Sequence, residues 1–296
     1  MNHGGLPYAS AVSLVQLVAP PDADSPAMVV AFDAWVDAGS ASSSAATALA
    51  EGGDVVATFE SDLLFDYRAR RPTLDIVDGR PLRLEWPELS IRYNRLGGRD
   101  VLIFTGPEPD FRWRELATDV VDLARGLGVS QWVSLGAIPA AVPHTRPVPV
   151  LGTESKPGLL RGNVRPGPEG LLRVPSAALS VLDIAIGQAG IPALGYFVQI
   201  PHYISGPYPA ATVVLLRAVE QHLDIELPLG TLTDEVEQMR RRLDAATALD
   251  EKTRSYVEKL EAMVDEERLP SGDELIGEIE RFLRERGTDP GAGQIH

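Results

Sequence analysis

Residues 27–53 read AMVVAFDAWVDAGSASSSAATALAEGG, and this stretch decides the fold class of the chain. Its first eight residues are almost all apolar and rich in valine, which predicts a buried strand. Asp37, Gly39 and Ser40 then predict a turn, and the alanines after them predict a helix that ends at two glycines. The stretch is therefore a strand followed at once by a helix, which is the repeating unit of an α/β sheet.

The same alternation continues on both sides of this unit. Apolar runs predict further strands at VSLVQLVA, DVVATFES, VLIFTG, VSQWVSLGAIP and IPALGYFVQIP. Apolar residues at helical spacing predict helices at RWRELATDVVDLARGLG, SAALSVLDIAIGQAG and PAATVVLLRAVEQHL. Strands that alternate with helices predict a mostly parallel sheet with helices on both faces.

Two segments break the alternation. From about residue 74 to 96, apolar and polar residues alternate around Asp78-Gly79, which is a strong signal for a β-hairpin inserted into the core. Residues 146–175 are dense in proline and glycine but carry Leu159, Leu160, Leu171 and Leu172, so we expect an ordered loop folded over the core.

The chain changes character after Pro228. Residues 1–228 are predicted to form the α/β core, and residues 229–296 an α-helical, lid-like appendage with a disordered tail. A helical apolar stripe runs through positions 232, 236, 239, 243, 246, 257, 260 and 264. A final helix is predicted with Ser271 and Glu274 at its start and with Leu275, Ile279 and Phe282 on its apolar face. We expect the acidic outer face of the appendage to be solvated.

Composition excludes several classes of function. The net charge of −15 argues against binding to nucleic acid or to an anionic membrane, because phosphate groups attract clustered positive charge. With no cysteine, the chain has neither disulfides nor thiolate catalysis. Its first residues lack the pattern of a secretory signal, and no apolar run is long enough to span a bilayer. We therefore expect a soluble, cytoplasmic protein.

Candidate site residues follow the strands, because ligands of α/β sheets bind beyond the carboxyl ends of the strands. Four strand ends carry polar or aromatic residues. The candidates are Asp33, Trp35, Asp37, Gly39, Ser40, Gly106, Glu108, His144, Arg146, His202 and Tyr203.

Two interpretations of these residues remain open. The turn before the first helix offers backbone amides to an anion, and an imidazole beside a guanidinium and a phenol binds phosphate or carboxylate and transfers protons. Alternatively, Asp37 and Ser40 only cap their own helix, and the histidines only complete hydrogen bonds at strand ends. In either case we expect His144 and His202 to approach each other and to line one cleft with Asp33 or Asp37 and with Glu108.

Motifs for metals and cofactors do not occur in the sequence. There is no H-E-x-x-H pair, no D-x-D-x-D-G loop, no phosphate-binding G-x-x-x-x-G-K-[ST] loop and no complete G-x-G-x-x-G. The serines after residue 39 lack the G-x-S-x-G context of a catalytic serine. The sequence therefore predicts neither a metal nor a cofactor.

Five segments, taken in order, resemble the proteasome-assembly-chaperone-like family, and specifically its actinobacterial branch. They are VVAFDAWVDAGSASSSAATAL, DYRARRP, VLIFTGPEPDFRW, LGAIPAAVPHTRPVPVLG and IPHYISGPYPAATVVLL. The resemblance implies a phosphorylase/hydrolase-like core, a trimer, a β-hairpin used in assembly and a C-terminal helical lid over a ligand site. Some archaeal relatives dock to the proteasome through a C-terminal hydrophobic-Tyr-any motif. Ile295 stands at the tyrosine position here, which argues against docking through that motif.

Two functions of different classes are consistent with the sequence. The first is a non-enzymatic, homo-oligomeric protein that acts as a chaperone on a protein client or senses a ligand. The second is a hydrolase or phosphorylase acting on a small anionic substrate, such as a nucleoside or a phosphate ester, in a lidded cleft. The first is preferred, because the sequence shows no recognisable nucleophile and no acid–base pair at a defined spacing.

Overall fold

An eight-stranded sheet forms the centre of the computed structural model, which describes residues 13–265 apart from 163, 165 and 169. Its strands are β1 (Val15–Leu17), β2 (Ala27–Asp33), β3 (Asp54–Phe59), β6 (Ser90–Leu96), β7 (Arg99–Pro107), β8 (Gln131–Ala140), β9 (Val150–Glu154) and β10 (Ala193–Pro201). A separate two-stranded hairpin consists of β4 (Thr73–Val77) and β5 (Arg80–Glu85).

The order across the sheet is β1-β3-β6-β7-β2-β8-β10-β9. The four central strands β7, β2, β8 and β10 pair in parallel, while every pair outside them is antiparallel. The central strands are nearly continuous apolar runs, as expected of strands that are covered on both faces. The predicted α/β fold is confirmed, but the sheet is mixed rather than mostly parallel, because only its central pairs are parallel.

Helices cover both faces of the sheet, as predicted. They are α1 (Ala41–Ala50), α2 (Ser61–Leu64), α3 (Trp113–Gly126), α4 (Ala178–Gln188), α5 (Pro209–Leu223), α6 (Leu232–Leu249) and α7 (Glu251–Asp265). Helices α1 and α5 pack on one face, and α2, α3 and α4 on the other. The described part of the chain therefore contains two apolar layers separated by the sheet.

The inserted hairpin is shorter than predicted. Asp78 and Gly79 form its turn with positive φ angles of 51° and 76°, as a tight two-residue hairpin turn requires. However, residues 90–96 belong to the main sheet as β6, where Ile91 is fully buried and pairs with Phe104. Pro87 separates the two elements, so the insertion spans residues 73–85.

The loop rich in proline and glycine divides into two parts. It contains β9, an edge strand that the sequence did not predict, and its Leu159 and Leu160 pack against the core as expected. The expectation is wrong for Leu171, which is 82% exposed.

The appendage is helical and packs against the core. Leu232, Met239 and Leu243 of α6 contact the apolar layer formed by α1 and α5. In α7, Val257 and Leu260 are buried. Ala246 departs from the predicted stripe, because it is exposed. The predicted final helix and tail, residues 271–296, lie outside the described residues.

Candidate functional site

His144 lies just beyond β8 and is held by Tyr203, which follows β10. The backbone N–H of His144 donates to the Tyr203 hydroxyl over 2.8 Å, and the His144 Nδ1 lies 2.7 Å from the same hydroxyl. The Asp244 carboxylate near Nε2 can only accept, so Nε2 carries a hydrogen, and a neutral ring then accepts the Tyr203 hydroxyl hydrogen at Nδ1. The Nε2–H then points toward the Asp244 carboxylate on α6, 3.3 Å away.

In His202 the hydrogen lies on the other ring nitrogen than in His144. Its Nδ1 lies 3.0 Å from the Ala140 carbonyl oxygen, which can only accept, so Nδ1 carries the hydrogen. Its Nε2 therefore accepts from the Tyr256 hydroxyl on α7, at 3.2 Å. A neutral imidazole satisfies both contacts, and it connects the end of β8 to the appendage.

Arg146 provides the third connection between the strand ends and α7. Its Nε and one terminal nitrogen donate to the two oxygens of Asp265 over 2.9 and 2.6 Å, and its other terminal nitrogen donates to Glu261 over 3.2 Å. The hydroxyl of Thr145 also donates to Glu261. The hydrogen bond and charge of Arg146 lower the pKa of Asp265. The fork of the guanidinium thus fixes the last turn of α7.

We call these residues the strand-end cluster. It comprises His144, Thr145, Arg146, His202 and Tyr203 of the core with Asp244, Tyr256, Glu261 and Asp265 of the appendage. The rings of both histidines pack edge-on against Tyr203, each with its centroid 5.8 Å from that of Tyr203, so the two histidines share one aromatic neighbour. Burial raises the pKa of Tyr203, so its hydroxyl stays protonated and serves as a hydrogen-bond donor.

Asp37 has a capping role at the start of α1. Its Oδ1 accepts from the backbone N–H groups of Ser42 and Ser43, and its two oxygens also accept the hydroxyls of these serines, at 2.6 and 2.5 Å. Both carboxylate oxygens are therefore occupied within the helix. Ser40 precedes the helix with a positive φ of 48° and makes no side-chain cap bond. Of the two interpretations of Asp37, the structure favours the capping one.

Gly39 is required by packing rather than by a ligand. A side chain at this position would place its Cβ 2.9 Å from the Cβ of Tyr208, and the Gly39 carbonyl accepts the Tyr208 N–H at 2.9 Å. Gly106 is similar, because a Cβ there would lie 2.3 Å from the Glu88 carbonyl oxygen.

The other candidates do not join the strand-end cluster. Glu108 accepts from the backbone N–H of Ala178 at 2.6 Å and so caps α4. Asp33 is exposed, and Trp35 is 61% exposed at the surface. The predicted carboxylates of the cleft thus have separate positions, and the acidic groups beside the histidines come from the appendage.

Sequence reasoning missed these acidic partners because it assigned the acidic residues of the appendage to a solvated face. A signal was present, since Asp244 and Glu261 each adjoin a residue of the apolar stripe and so border the buried face. No three histidine, aspartate or glutamate side chains converge as metal ligands within the part of the chain that the structure describes. None of the helices in that part combines the length and hydropathy that crossing a membrane requires.

Comparison with known proteins gives a consistent result. The model of the PAC2 family matches residues 31–247. None of the curated proteins compared with the chain matches it.

Solved structures extend this likeness over most of the chain. A protein of unknown function from Corynebacterium glutamicum is 32% identical with a TM-score of 0.81, over 86% of this chain and 98% of that one. A Mycobacterium tuberculosis homologue of proteasome-assembly chaperones is 35% identical with a TM-score of 0.72, over 78% of this chain and 99% of its own. A PAC2 family protein from Streptomyces avermitilis is 35% identical with a TM-score of 0.71 and the same coverage.

Proposed function

The chain belongs to the PAC2 family, and on that premise we propose that it is a non-enzymatic, chaperone-like protein that assembles into a homotrimer through its β4–β5 hairpin and acts on a protein client. The Mycobacterium tuberculosis relative, a proteasome-assembly-chaperone homologue, supports the chaperone-like part. The observation that carries the assembly part is the surface of the hairpin.

Every residue of β4 and β5 is exposed. Leu74 pairs directly with Leu84 across the two strands, and Ile76 and Leu82 are 60% and 72% exposed. Trp86, which follows β5, is half exposed. An isolated two-stranded hairpin is at best marginally stable in water, and apolar patches of this kind mark contacts with other proteins.

A second copy of the chain is the occupant that we propose for this surface. The hairpin leaves both of its edges without a described strand partner, and pairing with another subunit removes unpaired edge groups from solvent. A hairpin that contacts a different surface of its neighbour gives a head-to-tail contact, and such contacts form a ring when the rotation between neighbouring subunits closes. The trimer is the ring that the family resemblance implies.

The appendage is the second part of the proposal. We propose that α6 and α7 act as a lid over the strand ends, since they contact the core through the histidines, Arg146 and a few apolar side chains. Opening this lid would expose His144, Arg146 and His202 to a ligand or to a client.

Light scattering of the purified full-length chain tests the assembly. We expect a particle of three times the 31.9 kDa chain mass. A variant with both Leu82→Asp and Leu84→Asp should be monomeric with an unchanged circular dichroism spectrum, because these side chains contribute to no core of the monomer. Leu249→Asp is the matched control, since Leu249 is 89% exposed and lies at the end of α6. A stable wild-type monomer, or a double variant that still forms the same particle, would contradict the proposal.

The alternative function, a hydrolase or phosphorylase of small anionic substrates, has less support. The Asp37 oxygens are both used within α1, and the histidines bond to neighbouring protein groups. Turnover of nucleosides or phosphate esters by the wild type that His144→Gln abolishes would favour this alternative.

A further inference from the structure

A cavity of about 470 Å³ lies between α4 and the β9–β10 edge of the sheet, beside the amino-terminal half of β10. It is separate from the strand-end cluster, and none of its lining residues belongs to that cluster. Its polar lining includes Ser155, Ser180 and two carboxyl groups, those of Glu154 and Asp183. Its apolar wall includes Ile184 and Phe197. A volume of this size matches that of a site for a small organic molecule.

Asp183 is fixed in an asymmetric way. Its Oδ1 accepts from the Trp132 indole N–H at 2.8 Å and from the Ser134 hydroxyl. Both donors are fully buried beneath α4. Its Oδ2 accepts from no donor among the described residues. One carboxylate oxygen is therefore anchored in the core, while the other is available to a donor within the cavity.

Phe197 forms a fixed apolar surface of the same cavity. Its ring lies across Gly136 and Gly195, where an added Cβ would come within 2.4 and 2.6 Å of ring atoms. The absence of side chains at these glycines lets the ring lie directly on the strands. Ile184, at 61% exposed, lies opposite on α4 and leaves apolar surface that a ligand could cover.

The charged groups that line the cavity determine which class of ligand it can bind. The described residues that line it include two carboxyl groups but no lysine, arginine or histidine. Glu154 uses its Oε2 to accept the N–H groups of Leu159 and Leu160, at 2.8 and 3.2 Å. An anion would find no positive partner here, and a bare metal ion would find too few converging oxygens. An organic cation finds both a carboxylate and an apolar wall.

We propose that this cavity binds a small organic cation, with an ammonium group donating to Asp183 Oδ2 and an apolar body lying against Phe197 and Ile184. Such a ligand would neutralise a carboxylate that is costly to hold partly buried, and it would cover Ile184. The site is independent of assembly through the hairpin, and it differs in charge preference from the anionic ligand considered for the strand ends.

The ionisation of Asp183 gives the proposal a pH dependence. Burial raises the pKa of Asp183 to about 6, although the hydrogen bonds from Ser134 and Trp132 oppose the shift. Glu154 is the other titratable group that faces the cavity, and Arg125 of α3 donates to the Ala189 carbonyl at the far end of α4. Binding of an ammonium should therefore weaken as the pH falls through about 6, because protonation removes the charge of Asp183.

Three probes of one shape and different charge test the proposal. 2-Phenylethylammonium, 2-phenylethanol and 3-phenylpropionate are titrated into the full-length protein at a pH of about 8, with saturation-transfer NMR and calorimetry as readouts. We expect a Kd on the order of 1 mM for the ammonium. We expect binding about tenfold weaker for the alcohol and none for the carboxylate, since the latter meets only like charge.

Variants connect binding to the cavity. Asp183→Asn keeps an acceptor for Trp132 and Ser134 but removes the charge, and it should weaken ammonium binding about tenfold. Asp122→Asn makes the same change on the exposed surface of α3 and should leave binding unchanged. Ser180→Trp fills the cavity and should abolish binding, which keeps the test valid if Asp183→Asn does not fold. No ammonium binding, equal binding of the three probes, or full binding by a folded Asp183→Asn or Ser180→Trp would overturn the proposal.

Discussion

The appendage and the hairpin are two additions to the same α/β core, and they differ in whether their side chains find contacts within the same chain. The appendage buries Val257 and Leu260 against its own chain and pairs the strand-end histidines and Arg146 with its acidic residues. The hairpin exposes all of its apolar side chains, and its one ion pair, Arg83 with Glu85, is largely exposed as well.

Under the proposed function, this difference separates an intramolecular role of the appendage from an intermolecular role of the hairpin. A segment whose contacts are complete within one chain needs no partner to be ordered, whereas an exposed apolar hairpin costs free energy until another surface covers it. Changes in the appendage should therefore alter local opening at the strand ends and leave the oligomer intact. Changes in the hairpin should alter the oligomer and leave the strand ends unchanged.

Leu260→Asp should have the largest effect on the appendage. Leu260 is 1% exposed, and a carboxylate in its place must either be buried or detach α7 from the core. Detachment costs less free energy than burying the charge, so we expect the free energy of local opening to fall by about 3 kcal/mol. Under equilibrium opening, this makes amide hydrogen exchange about a hundredfold faster. Hydrogen exchange of the segments around residues 140–146 and 202–204 measures this.

Leu249→Asp is the control for that experiment, because it introduces the same charge at a side chain that is 89% exposed. It should leave the exchange rates as they are. Loss of the oligomer in Leu260→Asp, with unchanged exchange at the strand ends, would reverse the roles assigned to the two additions.

The stability of the core to which both additions attach should itself depend on pH, and more strongly than the stability of the additions. His222 accepts from the Tyr196 hydroxyl at Nδ1 and faces the Gln131 amide oxygen through Nε2, each at 3.0 Å. Burial lowers its pKa from 6.5 to about 4. Between pH 6.5 and about 4, the unfolded chain therefore binds a proton at His222 that the folded chain does not bind. The free energy of unfolding thus decreases as the pH falls from 6.5 toward 4.

His222→Gln removes that loss. Asp183 has a raised pKa of about 6, so its effect on stability has the opposite sign over part of the same range. We expect the decrease in the free energy of unfolding between neutral and acid pH to become smaller by about 2 kcal/mol in His222→Gln, after allowance for solvent screening. Urea denaturation at several pH values measures it. An equal decrease in both proteins would show that His222 does not control the response.

The fold was largely predictable from sequence because its signals are local. Strand and helix periodicity, the Asp78-Gly79 turn and the apolar stripe after Pro228 all depend on neighbouring residues. The boundary of the hairpin was wrong because residues 90–96 alternate as a hairpin strand would, and only pairing with β7 assigns them to the main sheet. Edge strand β9 was missed because its order depends on β10 rather than on its own composition.

The candidate site was predictable in part for the same reason. His144 and His202 were brought together by a topological rule about strand ends, which needs only the order of the elements. Their partners Asp244 and Tyr256 lie 100 and 54 residues away in the chain, and no local pattern connects such positions. The anchoring of Asp183 by Trp132 and Ser134 across the sheet was not predictable for that reason either.

Arg146→Ala should have a smaller effect than Leu260→Asp on the same part of the molecule. The guanidinium makes two bonds to Asp265 and one to Glu261, but solvent screens these bonds, so the loss of local stability should be well below that caused by Leu260→Asp. At low salt, amide hydrogen exchange in α7 should be faster in the variant than in the wild type. At high salt, the exchange rate of the wild type should approach that of the variant. Arg240→Ala is the control, because Arg240 contacts Asp244 only at 4.0 Å within α6. A large decrease in the melting temperature of the whole protein would show that α7 is part of the cooperative core.

Glu85→Gln should have the smallest effect, and it separates two reasons why the hairpin could bind another subunit. Arg83 and Glu85 are 3.1 Å apart with side chains 69% and 53% exposed, and pairs of this kind contribute from about 0 to 1 kcal/mol. If apolar burial drives assembly, the variant should have the same mass by light scattering and a subunit affinity within about twofold of the wild type, at low and at high salt. Leu84→Asp, one residue away, should dissociate the oligomer under the same conditions, because it places a charge in the surface that assembly would bury. Dissociation by Glu85→Gln would instead assign the contact to charge pairing, and the exposed leucines would then need a different partner, such as a client protein.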